Sequence, residues 1–192
     1  MGKPDFITIV SGLPRSGTSL MMQMLAAGGI PPLTDHLRAA DESNPRGYFE
    51  FDAVKRLRSD HSWLDLARGH AVKIIHLLVR ELPTDRGLQY RVIFMRRPLE
   101  EVLASQRAML ERQGKKAADE ALLAKVFRGQ LEQVEQWLAT APEFSVLYVE
   151  HRALFESAQP TARVNEFLGG QLDVAAMLSV IEPTLYRQRI GE

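Results

Sequence analysis

An apolar run, Phe6 to Val10, leads through Gly12-Leu13-Pro14-Arg15-Ser16-Gly17-Thr18-Ser19 into a helical run, Leu20 to Ala27. A strand that turns between two glycines straight into a helix constrains the fold more than any other stretch of this chain. The unpaired N–H groups of the first helical turn converge on one spot, and the helix dipole favours negative charge there. The turn also packs a proline, a cation and three hydroxyls between and beside its two glycines. A tight turn needs glycine for backbone freedom but has no use for the rest. The pattern predicts an anion cradle at the carboxyl end of the first strand.

Downstream, apolar runs alternate with helical ones. Ala71–Ile75, Arg91–Met95 and Phe144–Val149 read as short strands, mostly apolar on both faces, as in a covered parallel sheet. Helices are expected over Pro98–Glu111, Ala117–Thr140 and Val174–Ile181, with Pro98 in a first turn and Gly114 as a break. Leu123, Phe127, Leu131, Val134 and Leu138 recur at helical spacing, a stripe that reads as core. The whole predicts an α/β fold, three-layer α/β/α around a central, mostly parallel sheet, with ligands at the carboxyl ends of the strands. With 192 residues, 45% of them hydrophobic, there is material for one well-buried core, so residues 1–192 read as a single domain. Gly28 to Gly47 holds three prolines and is expected to be a loop or lid.

Charge and composition narrow the partners. Lys+Arg 24 against Asp+Glu 24 argues against a nucleic-acid or anionic-membrane binder. With no cysteine there are no disulfides and no thiolate chemistry. The N-terminal apolar run is too short for a signal peptide and no stretch reaches the length of a membrane span, so a cytoplasmic chain is expected.

The spacing from Gly12 to Ser19 is that of the nucleotide loop GxxxxGK[ST], but Thr18 stands where the lysine belongs and the cation sits at Arg15. The strand Tyr90–Met95 ends in Arg96-Arg97 rather than in a metal-holding Asp. The site therefore reads as one for phosphate without a metal. A second phosphate would offset the two arginines, which are unfavourable at a helix N-terminus by themselves. Ser105, two turns further on, is a hydroxyl off the apolar stripe.

Pro14 to Ser19 resembles, position by position, the 5′-phosphosulfate loop P-[KR]-S-G-T-[ST] of the PAPS-dependent sulfotransferases. The resemblance implies a P-loop NTPase-like fold, PAPS as co-substrate with PAP as product, and Pro14, Arg15, Ser16, Gly17, Thr18 and Ser19 as its cradle. The family's second motif, an arginine followed eight positions later by a helical serine, binds the 3′-phosphate. Arg97 and Ser105 have that spacing, whereas Arg96 keeps the Arg-x-Pro pattern also common there; Arg97 is preferred. Leu147-Tyr148-Val149-Glu150 and Phe167-Leu168-Gly169 are similar to the family's closing strand and helix.

Sulfuryl transfer needs a base for the acceptor proton and cations for the leaving oxygen. Arg15 and Lys73 are the candidate cations, Lys73 because an ammonium inside a parallel sheet calls for an anion. For the base, His76 follows Lys73 one residue later than the family's Lys-x-His. Glu50 lies in Asn44-Pro45-Arg46-Gly47-Tyr48-Phe49-Glu50, which is similar to a segment beside the acceptor pocket of bacterial members. A carboxylate partly desolvated by aromatic neighbours gains basicity, and Glu50 is preferred by a small margin. Asp35, His36 and Asp41 are weaker candidates. Gly28–Gly47 and Arg112–Ala118 are expected to shape the acceptor side, and the tail carrying Tyr186, Arg187 and Arg189 reads either as a solvated end or as a closure over the nucleotide. The leading reading is a sulfotransferase acting on a small-molecule acceptor; the others are a PAP-binding module without turnover and a small-molecule kinase. The acceptor and the oligomeric state are not legible.

Overall fold

The computed structural model describes residues 5–42, 44–116 and 119–189. Its frame is β1 (Phe6–Gly12), β2 (Ala71–Lys73), β3 (Gln89–Arg96) and β4 (Phe144–Glu150), all parallel and ordered β2-β1-β3-β4. The helices are α1 (Thr18–Ala27), α2 (Leu64–Ala67), α3 (Leu99–Arg112), α4 (Glu120–Leu138), α5 (Ala153–Glu156), α6 (Gln159–Phe167) and α7 (Val174–Ser179).

Strand side chains alternate between two faces, and both faces are covered. Ile7 and Ile9 of β1 join Val92 and Phe94 of β3 in a core with Leu64 of α2 and Val134 and Leu138 of α4. Val10, Ile93 and Met95 face the other way, against Met21, Met22 and Leu25 of α1, Val164 of α6 and Met177 of α7. This is the expected three-layer α/β architecture. Among the described residues no helix is long and apolar enough to cross a membrane.

The strand order positions the site. From β1 the chain goes to β2 on one side, then crosses to β3 on the other. Ligand clefts of open α/β sheets form at such a reversal. Gly12 is in register with Met95, so the turn after β1 and the Arg96-Arg97 pair emerge side by side.

Several boundaries differ from the sequence reading, each for a local reason. The strand expected over Ala71–Ile75 stops at Lys73: Ile74 still donates to Val10 (3.0 Å), then a 3₁₀ turn, His76–Glu81, begins. Pro98 sits just outside α3, with a non-helical ψ of 133°. α4 starts at Glu120 because Asp119 caps it, accepting from the N–H groups of Ala121 and Leu122; residues 117 and 118 of the expected helix lie outside the described residues. α7 is capped by Asp173 and ends at Ser179, short of Ile181.

Candidate functional site

The cradle depends on two glycines. Gly12 has φ 142°, and a Cβ there would stand 2.6 Å from both the Met95 carbonyl and the Ser16 hydroxyl. Gly17, the residue before α1, has φ 98°, and a Cβ on it would run into the His151 ring. Arg15 also adopts a left-handed conformation, φ 71°, which a side-chain-bearing residue holds only at a cost of about 1–2 kcal/mol. That turn delivers its guanidinium to α3, where Nε donates to Ser105 Oγ at 3.0 Å. Ser16 behaves differently from its neighbours. It is buried, its Oγ donates to the Leu13 carbonyl at 2.7 Å, and it closes the turn from behind.

A cavity of about 410 Å³ opens at the carboxyl ends of the strands. Pro14, Arg15, Gly17, Thr18 and Ser19 form one side, Arg97 and Ser105 another, with Lys73, Tyr48 and Glu50 completing the wall. Arg97 and Arg96, adjacent at a strand end, turn to opposite sides. Arg97 is 8% exposed and reaches three groups: Glu101 (2.8 Å), the Arg15 carbonyl (3.1 Å) and the Gln188 carbonyl (2.7 Å). Arg96 leaves the cavity, grips Glu135 through Nη2 and Nε (2.8 and 3.2 Å) and stacks over Tyr148. Of the two, Arg97 shares the cavity with Ser105.

Lys73 sits between cradle and loop. Its Nζ donates to Ser19 Oγ at 3.0 Å and to the Tyr48 carbonyl at 2.8 Å. Burial pulls its pKa down to about 8, partly opposed by nearby Glu50. Ser19 Oγ also accepts from Asn44 Nδ2 at 2.8 Å, and with two donors on its lone pairs its own hydrogen is left to donate.

The two candidate bases fare differently. Glu50 lines the cavity and is partly desolvated, its side chain 37% exposed, but it is not free: Arg38, lying over the Tyr48 ring, holds Oε1 at 2.7 Å. His76 is 2% exposed and off the cavity wall, its Nε2 2.9 Å from Gln130 Oε1 on α4; burial lowers its pKa. The weaker candidates lie off the wall as well. Asp35 accepts from the N–H of Leu37 and Asp52, Asp41 accepts from the Tyr48 hydroxyl, and His36 is exposed.

No protein-family model matches the chain, and no curated protein sequence does. Among solved structures it is similar to a sulfotransferase domain from the curacin biosynthetic pathway: TM-score 0.55, 16% identity, over 100% of this chain and 80% of that one. A sugar kinase from Janibacter sp. superposes with TM-score 0.46 at 17% identity, over 93% of this chain and 99% of that one. The first likeness shows the fold, an α/β fold of the P-loop kind.

Besides Arg38, sequence reasoning missed two notable residues at this site. His151 lines the cavity just beyond β4; burial, with Arg97 adding to it, lowers its pKa to about 3, so it is neutral. Its signal was its position at a strand's carboxyl end. Glu101, in the first turn of α3, stands behind Arg97, which precedes the helix, so no helical spacing announced the pair. The tail is no solvated end: Tyr186 is buried with its hydroxyl on Glu101, and Leu185, Arg187 and Gln188 line the cavity. Arg112 lines it too, from the end of α3.

Proposed function

We propose that this cleft binds PAPS and transfers its sulfuryl group to a hydroxyl or amine of a small-molecule acceptor. One observation carries the reading: a glycine cradle after β1 and the Arg97–Ser105 pair after β3 open into a single cavity with Lys73 on its wall. A nucleotide with phosphate groups at both its 5′ and 3′ ends needs two such anion sites. The likeness to the curacin-pathway sulfotransferase domain supports the fold that this reading requires.

PAPS supplies a sulfuryl group on a phosphate leaving group. The N–H groups at the start of α1, with Arg15, take the 5′ end, and Arg97 and Ser105 take the 3′-phosphate. Lys73 holds positive charge beside the oxygen on which charge develops. As the acceptor oxygen or nitrogen bonds to sulfur and the bond from sulfur to the phosphate oxygen breaks, releasing PAP, Glu50 takes the acceptor's proton, once Arg38 has released the carboxylate. The cations are side chains, and the reading calls for no metal. It takes the protein to act in the cytoplasm, without nucleic acid or membrane.

A PAP-binding module without turnover is the second reading. It is favoured by the engagement of both candidate bases, Glu50 with Arg38 and His76 with Gln130. Calorimetry with PAP, then labelled PAPS with pools of hydroxyl and amine acceptors, separates them. The enzyme binds PAP without Mg²⁺ and labels an acceptor; the module binds and labels nothing. A requirement for Mg²⁺ with ATP would overturn both in favour of a kinase.

A further inference from the structure

Glu101, in the first turn of α3, is 1% exposed. A carboxylate so enclosed is costly unless donors surround it. Arg97 gives it Nε at 2.8 Å, and the Tyr186 hydroxyl lies 3.0 and 2.8 Å from its two oxygens. The same Arg97 donates from Nη2 to the Gln188 carbonyl at 2.7 Å. One buried ion pair therefore grips the C-terminal segment at Tyr186 and again at Gln188. Between and beside the grips, Leu185, Arg187 and Gln188 face the cavity. Arg187 reaches on to the Glu42 carbonyl at 3.2 Å, tying the segment to the loop on the acceptor side. The Tyr186 ring packs against His151 and Phe155, centroids 4.7 and 4.9 Å away, which fixes where its hydroxyl can go.

We propose that Glu101 is a positioning residue: it aims Arg97 at the cavity and, through Tyr186, latches residues 183–189 along it as a strap that sets how fast a bound nucleotide leaves. The identity of that nucleotide, PAP, rests on the function proposed above; the latch does not. A guanidinium has five N–H groups in a fixed fork. Three of those on Arg97 are engaged by Glu101, Arg15 and Gln188. The two N–H groups left, one on Nη1 and one on Nη2, are thereby held in one orientation, which a lysine or an untethered arginine does not do. The tie that orients the fork is also the tie that holds the strap, so ligand recognition and strap docking share one residue.

Two substitutions separate these roles. Tyr186→Phe removes the latch and keeps the Arg97–Glu101 pair. Glu101→Gln keeps the shape and removes the charge that orients Arg97. In ligand-free protein, amide exchange over residues 184–189 should rise about three- to tenfold in both variants, the factor expected for one lost hydrogen bond, with the strand amides unchanged. PAP release followed by stopped flow should quicken by a similar factor in Tyr186→Phe, at unchanged preference for PAP over the analogue lacking the 3′-phosphate. Glu101→Gln should also lose about tenfold of that preference. Wild-type exchange over 184–189 in Tyr186→Phe would overturn the proposal. So would an intact 3′-phosphate preference in Glu101→Gln, or faster exchange spread over the whole sheet, either of which makes Glu101 merely structural. Failure of the unmodified protein to bind PAP would strike the nucleotide reading alone, and the latch would still be decided by the ligand-free exchange.

Discussion

Arg15 donates from Nε to the hydroxyl of Ser105, 3.0 Å away and 90 residues further along the chain. The bond joins the cation of the cradle to the serine expected at the far phosphate, so the two anion sites proposed above would touch through their own ligands. Arg97 completes the junction by donating to the Arg15 carbonyl. A ligand that spans both sites meets one connected set of donors, and its phosphates act on groups that already restrain each other.

The 3′-phosphate assignment is tested by Arg97→Lys, because Arg97→Ala would strand buried Glu101 without its cation. Lysine keeps the charge and loses the fork. PAP should bind about 1.5–3 kcal/mol more weakly, with little change for the analogue lacking the 3′-phosphate. Arg96→Ala should leave both affinities unchanged, since Arg96 is spent on Glu135. Equal weakening for both nucleotides in Arg97→Lys, read by calorimetry, would remove Arg97 from this role.

Gly17→Ala should damage the cradle twice. The alanine must hold φ 98° and its Cβ must displace the His151 ring. The strain is about 1–2 kcal/mol and the overpacking about 1–3 kcal/mol, which together lower Tm by roughly 5–15 °C in a chain of this size. Adding His151→Ala should recover the packing part and leave the backbone part. If Gly17→Ala melts like the unmodified protein, the close approach of His151 is wrong.

Lys73 makes stability depend on pH with an unusual sign. Its folded pKa is about 8 against an ordinary 10.5. Between those values the unfolded chain holds a proton that the folded chain has released, so this group stabilises the fold as pH rises; below the window it is charged in both states and contributes no slope. Other groups titrate as well, so the quantity to measure is the urea-unfolding difference between the unmodified protein and Lys73→Met. From about pH 7 to about pH 10 it should move by about 2 kcal/mol in favour of the unmodified protein. A constant difference would mean that Lys73 is not depressed.

The choice of base predicts a split in turnover. Glu50→Gln keeps shape and removes basicity, so kcat should fall about 10²–10⁴-fold with PAP affinity unchanged. His76→Asn, at a position off the cavity wall and bonded to Gln130, should change kcat little. A normal Glu50→Gln with a dead His76→Asn would reverse the assignment.

The sheet and the cradle were legible because their signals are local: apolar runs of strand length, and a turn whose glycines, cation and hydroxyls are contiguous. Arg97 was separable from Arg96 only by motif spacing, and the structure adds the reason, the alternation of side chains at the end of β3. What was not legible depends on partners distant in sequence. The ion-pair partner of Glu50 was not legible because Arg38 arrives from an irregular loop. His76 looked available because its partner, Gln130, is 54 residues away. α2 and α5 are a single turn each, too short to show a helical period. Helix α6, which begins next to Pro160, is long enough to have been found and was passed over.

Among the described residues, the stretch between α1 and β2 pairs with strand residues by single bridges, Pro32 to Ala71 and Arg68 to Ile7, rather than by a strand of its own. It carries Arg38, Asn44, Tyr48 and Glu50, while Arg15, Lys73, Arg97 and Ser105 on the same cavity belong to strand ends and to the turns and helices after them. On the function proposed above, donor and acceptor chemistry would lie on pieces of chain under different constraints, one locked into strand register and the other outside it. The same reading makes this loop an exchangeable part: a chimaera that carries another chain's loop here would inherit a different acceptor while keeping the same donor.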